Sequence, residues 1–202
     1  MSKTTNERLT VTFSLEMANA TIRGNFNPYI VSPEWLAATG IWEQDEVQLA
    51  FGAVAGGVRF RSGQDEWLVD NQSLQISSIE NCGILAASVL RSLPHTPVVA
   101  IGLNLEYSCS DASPNISPNL GEGFELPVDM NFEVKKWSGI VHQDGNRVEM
   151  TVVVGSAGLN VGFNHHFATR DVKELIKFAE SFDEKKTVSE TMINDILKDK
   201  VL

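Results

Sequence analysis

The stretch Thr96-Pro97-Val98-Val99-Ala100-Ile101-Gly102-Leu103-Asn104-Leu105-Glu106-Tyr107 decides how the rest of this chain is read. It opens almost wholly apolar and then alternates apolar with polar, as a central strand does. Residues 78–92 before it read as a helix, capped by Ser77 or Ser78 with Glu80 in the first turn. Ile84, Leu85, Ala86, Ala87, Val89 and Leu90 leave that helix little polar surface, so it belongs in the core. Its small residues suit close packing on a sheet, and Pro94 and Pro97 end it. If 74–76 and 98–107 pair in parallel, the connection through the helix is right-handed.

Downstream, Phe124, Leu126, Val128, Met130, Phe132 and Val134 alternate without a fault. Asp144-Gly145 is a hairpin signal, followed in step by Val148, Met150, Val152 and Val154. Gly155-Ser156-Ala157-Gly158 turns into Leu159, Val161, Phe163, His165 and Phe167. The expectation is three neighbouring antiparallel strands with one apolar face. Two helices then close the chain over 169–202. The first carries Val172, Leu175, Ile176, Ala179 and Phe182 on one face. The second starts at Thr187-Val188-Ser189-Glu190, which has capping-box spacing, and buries Met192, Ile193, Ile196 and Leu197.

Upstream, Leu9, Val11, Phe13 and Leu15 alternate as a first strand. Ser32-Pro33-Glu34-Trp35 starts a short helix that ends at Gly40, with Trp35 and Trp42 plugging one end of the core. Residues 46–77 form a meander of short strands. Its turns fall at Gly56-Gly57, Ser62-Gly63-Gln64-Asp65 and Asp70-Asn71. The fold class is therefore α+β: a mainly antiparallel multi-stranded sheet, one buried central helix, and two C-terminal helices packed on the sheet. No internal repeat stands out, and 1–202 reads as a single domain. Strands followed by helices over 124–202 resemble the layout of SecB-type export chaperones. The likeness is one of layout alone, the earlier strands depart from it, and it carries no function.

Composition narrows the function. The 202 residues hold 16 Lys and Arg against 26 Asp and Glu, a net charge of −10. The deficit lies wholly in residues 1–134, so no cationic surface for nucleic acid is expected there. Cys82 and Cys109, with no apolar leader ahead of them, point to reduced thiols and a cytoplasmic location. No run of about 18 apolar residues occurs, so no membrane span is expected.

No catalytic residue, cofactor site or metal ligand set is assigned. His165 and His166 are strand neighbours pointing to opposite faces, so they do not share a metal. His165 fits an apolar-face position and His166 a solvent-facing one. No Gly-x-Ser-x-Gly elbow exists. Cys82 reads as a small core residue and Cys109 as more exposed. Residues 52–57 are glycine-rich, but no Lys-Ser or Lys-Thr follows, so they read as a turn. The 108–123 loop is long for a compact domain, and Ile116 and Leu120 within it are candidate partner-binding anchors.

The leading expectation is a non-enzymatic protein-binding or assembly module that recognises a protein partner or itself. The alternatives are an enzyme site assembled from Asn104, Glu106, Asn164 and His166, or an acidic decoy of nucleic acid.

Overall fold

A computed structural model describes residues 12–41, 47–48, 57–109, 136–143, 146–155 and 158–197. These form four helices and one sheet of nine strands in the order β2-β3-β4-β5-β1-β6-β9-β8-β7. The strands are β1 (Ser14–Gly24), β2 (Val47–Gln48), β3 (Val58–Ser62), β4 (Asp65–Val69), β5 (Ser73–Ser77), β6 (Val98–Cys109), β7 (Lys136–Gln143), β8 (Asn146–Gly155) and β9 (Gly158–Ala168). The helices are α1 (Pro33–Ala38), α2 (Cys82–Ser92), α3 (Val172–Glu180) and α4 (Phe182–Leu197). Every pairing is antiparallel, so the α+β class holds.

Alternation sorts the strand residues onto two faces. One face collects Ile22, Phe60, Trp67, Leu74, Ile76, Ile101, Leu103, Leu105, Met150 and Val161, all buried. Hiding each such side chain contributes roughly 1.5–3 kcal/mol, which makes this layer the main source of stability. The helices cover it: α2 lies on β1 and β5, α3 on β6, and α4 on β6 and β9. Small residues allow the close approach. Ala18 and Ala20 of β1 are buried, as are Ala86 and Ala87 of α2. A Cβ at Gly83 of α2 would stand 2.5 Å from Ala179 O and from Phe182 Cβ, so only glycine fits that helix contact.

Among the described strands the order is a palindrome about β1 and β6, with β2 beyond β3 at one end. β5, β4 and β3 flank β1 as β9, β8 and β7 flank β6, and α2 and α3 follow the corresponding strands. Asn19 and Asn104 pair with each other at the middle of the β1·β6 seam. From them one row runs outward through Ser77, Glu66 and Arg61, and the other through Asn164, Glu149 and Ile140. The chain thus repeats one unit of four strands and a helix, a repeat that the sequence does not announce.

Local signals explain much of this. Ser32 Oγ accepts from Trp35 N at 3.3 Å, Pro33 opens α1, and Gly40 has φ 68°. Ser62 pairs with Asp65 around Gly63 at φ 57°, and Gly155 pairs with Gly158. Trp35 packs against the core, while Trp42 lies outside the described residues.

Other expectations are corrected. The first strand is β1 and runs to Gly24, well past Leu15; Leu9 and Val11 lie outside the described residues. β5 and β6 do not pair, because β1 lies between them and is antiparallel to both. α2 starts at Cys82 rather than at Ser78, whose Oγ instead accepts from Asn81 N in the preceding turn. The partner of β8 across Asp144-Gly145 is β7, pairing Gln143 with Asn146, and the alternating 124–134 segment lies outside the described residues. α4 begins at Phe182, and its apparent capping box is interior. Thr187 Oγ1 and Ser189 Oγ donate to the carbonyls of Asp183 and Lys185, four residues back. Phe182 accordingly belongs to α4, although it is buried with Leu175 and Ala179 of α3.

Candidate functional site

The second face of the sheet is polar. Where β1, β6, β9 and β8 run side by side, it holds a cleft of about 660 Å³. Glu16, Asn19, Asn104, Glu106, Glu149, Thr151, Val153, Asn160, Gly162 and Asn164 line it. The alternation that buries Leu103, Leu105, Val161 and Phe163 turns Asn104, Glu106, Gly162 and Asn164 the other way.

Its centre is organised by amides. Asn104 Nδ2 donates to Asn19 Oδ1 at 2.7 Å, and Thr21 Oγ1 donates to the same oxygen at 3.4 Å. Asn19 is buried at 5% exposure, so this pairing supplies the partners that a buried amide requires. Asn164 Oδ1 leans over Gly102, 3.6 Å from where a Cβ would stand. At the rim, Ser108 Oγ donates to Glu16 Oε1 at 2.8 Å and an Arg147 guanidinium nitrogen donates to Glu149 Oε2 at 2.9 Å. On the matching flank of the sheet, Glu66 is held by Arg59 and Arg61.

Three of the four residues expected to assemble a dispersed site, Asn104, Glu106 and Asn164, line this cleft together. His166 is not among its lining residues, although it stands on the same face beside Gly102. His165 fills an apolar-face position at 1% exposure and His166 is half-buried. Ile116 and Leu120 lie outside the described residues, as does most of the 108–123 segment, of which Ser108 and Cys109 end β6. Cys109 is buried at 3% exposure, against the expectation of a more exposed thiol, because it shares the helix-covered face with Tyr107 and pairs with Leu159.

The most strongly displaced titrations lie on the helix side. Burial pushes the Cys82 thiol up to about 12 and raises the Tyr107 phenol, with Glu190 adding to the latter. Burial, with Lys185 nearby, pulls His165 down to about 4. Its Nε2 lies 2.7 Å from Ser189 Oγ of α4. Ser189 Oγ also lies 3.0 Å from Lys185 O; where its proton goes there, Nε2–H is the donor to Ser189. Nδ1 is buried and has no hydrogen-bond partner among the described residues. Among the described residues no group of three His, Cys, Asp or Glu is placed to hold a metal ion, and no helix is long and apolar enough to cross a membrane.

A second surface is β7, the last strand among the described residues, which pairs with β8 on one side. Ile140 and Val141, on opposite faces, are 52% and 46% exposed. Trp137 folds its ring back over Gly139, within 2.9 Å of where a Cβ would stand. Compared with known proteins, the chain matches no family model and shows no significant similarity to a curated sequence.

Proposed function

We propose that this chain is a non-enzymatic assembly module, and that the β7 edge is the surface through which it joins a second copy of itself. The observation that carries the reading is that, among the described residues, β7 is the last strand of the sheet and lacks the usual guards of an edge. Natural edge strands are shortened, bulged, interrupted by proline or studded with charge. β7 pairs in continuous register over eight residues, has no proline, and carries one lysine, at its end. Its hairpin with β8 closes on Gln143 and Asn146, and antiparallel pairs alternate in their hydrogen bonding. Lys136, Ser138, Ile140 and His142 therefore turn their N–H and C=O groups away from β8. A twofold axis near Gly139 would pair two such edges and continue the sheet, bringing the exposed Ile140 side chains together on one face. The two Lys136 residues would then lie more than ~20 Å apart at the rise of an antiparallel strand, so they would not repel strongly.

The test is light scattering on the intact chain at tens of micromolar, alongside Ile140→Lys, with circular dichroism as the check of fold. A dimer that Ile140→Lys converts to a folded monomer is expected. A parent chain that stays monomeric overturns the reading.

One observation favours an enzyme as the second reading: Asn104, Glu106 and Asn164 meet in one cleft. Turnover in a broad hydrolase screen that Glu106→Gln abolishes would put that reading first.

A further inference from the structure

The repeated unit lets one half of the sheet be compared with the other. In the first half, Gln75 stands on the open face between Thr21 of β1 and Leu68 of β4. The matching position in the second half is Gly162, between Glu106 of β6 and Thr151 of β8. The backbone does not demand glycine there, since the positive φ values belong to Gly40, Gly63 and Gly158. Packing does not demand it either: a Cβ at Gly162 would meet Thr151 O at 4.0 Å and nothing nearer. Gly162 therefore leaves room for at least a Cβ where the other half places a side chain. That hollow opens into the 660 Å³ cleft.

We infer that this hollow is a seat for a basic side chain, lysine or arginine, carried by an extended segment of a protein partner. Its walls match that chemistry. Glu106 and Thr151 flank Gly162 across the strands, and Asn160 and Asn164 flank it along β9 on the same face. Amide and hydroxyl oxygens accept from ammonium or guanidinium donors, and a carboxylate supplies the opposite charge. On this face the chain provides its own cations for the outer carboxylates: Arg59 and Arg61 for Glu66, and Arg147 for Glu149. Among the described residues no cation reaches Glu106, which is exposed, and the nearby Glu16 is engaged by Ser108. A cation for these two would arrive with the ligand. The seat lies on β6, β9 and β8, away from the outer edge of β7, so it stands or falls independently of the assembly reading.

The experiment is amide chemical-shift titration of the intact chain with capped five-residue peptides that differ only at the central residue: Arg, Lys, Gln or Glu. Saturable shifts at Glu106, Gly162 and Asn164 are expected with the Arg and Lys peptides, and binding about tenfold or more weaker with Gln. Glu106→Gln is expected to weaken the Arg peptide about tenfold as well. Gly162→Gln, which copies Gln75, should fill the hollow and abolish saturable binding while the melting temperature holds or rises. Three outcomes overturn the inference: no saturable shifts at millimolar peptide, equal binding of the Gln peptide, or undiminished binding by a folded Gly162→Gln variant. Shifts spread evenly over the acidic surface count against it in the same way, because they mark charge attraction without a seat.

Discussion

Asn104 Nδ2 donates to Asn19 Oδ1 at 2.7 Å, and the two residues pair at the midpoint of the seam where the repeated units join. Removing Asn104 leaves Asn19 Oδ1 only the longer bond from Thr21 Oγ1 at 3.4 Å, a loss of about 1 kcal/mol. Asn104→Ala should lower stability by that amount in urea unfolding. The double replacement of Asn19 and Asn104 by alanine should cost less than the sum of the single ones, because the second loss has no partner left to strand. Strict additivity would show that the pair is not coupled.

Gly83 is the contact point of α2 with α3 and α4. Alanine is the better helix former by about 1 kcal/mol, so on propensity alone Gly83→Ala would stabilise. The Ala179 carbonyl 2.5 Å from its Cβ reverses that sign, because the backbone must shift to make room. Overpacking of this kind costs roughly 1–3 kcal/mol, and a clear fall in melting temperature is expected. Increased stability would mean that the helices are not held this closely.

His165 couples stability to pH. Burial lowers its titration to about 4 from an unfolded value of 6.5, so the unfolded chain takes up the proton first. Its contribution is complete above 6.5 and is lost as pH falls through 4, to a total on the order of 3 kcal/mol. His165→Leu removes the buried Nδ1, while Ser189 keeps its bond to Lys185 O. Denaturant midpoints measured from pH 7 to pH 4 should fall less steeply for His165→Leu than for the parent. Equal slopes would assign the acid sensitivity to other groups.

Both cysteines are buried, and the Cys82 thiol is pushed up to about 12 by burial. Thiolate is the reactive form, so the folded chain should react with a disulfide reagent near pH 8 only as fast as it opens. Both thiols should appear at once in denaturant. Rapid labelling of the native chain would place Cys82 or Cys109 nearer to solvent than this packing allows.

The sheet was legible where one face is strongly apolar. β6, β8 and β9 alternate large side chains with polar ones, and their registers follow from that. β1 is weaker in sequence because its buried positions are Ala18, Ala20 and Ile22, small enough for α2 to lie on them. β7 gave no signal because it has no apolar alternation: Ile140 and Val141 face opposite ways and both stay exposed. Thr187-Val188-Ser189-Glu190 has the spacing of a helix start, yet hydroxyls inside a helix satisfy themselves on carbonyls four residues back. The repeated unit is written in topology and in a few positions such as Glu66 and Glu149, so comparison of residues along the chain does not disclose it. Asn104, Glu106 and Asn164 could be nominated because they are polar interruptions of apolar strands. Gly162 could not, since an absent side chain acquires meaning only once its neighbours across the strands are known.

The seam between β1 and β6 has a consequence for cutting the chain. Pro94, His95 and Pro97 lie exposed between α2 and β6, the natural place for a nick. Each resulting fragment would keep its own strands and helix but carry one raw margin, β1 or β6, whose best complement is the other fragment. Supplied as two separate polypeptides, the pieces should reassemble into the intact sheet, whereas either one alone should aggregate.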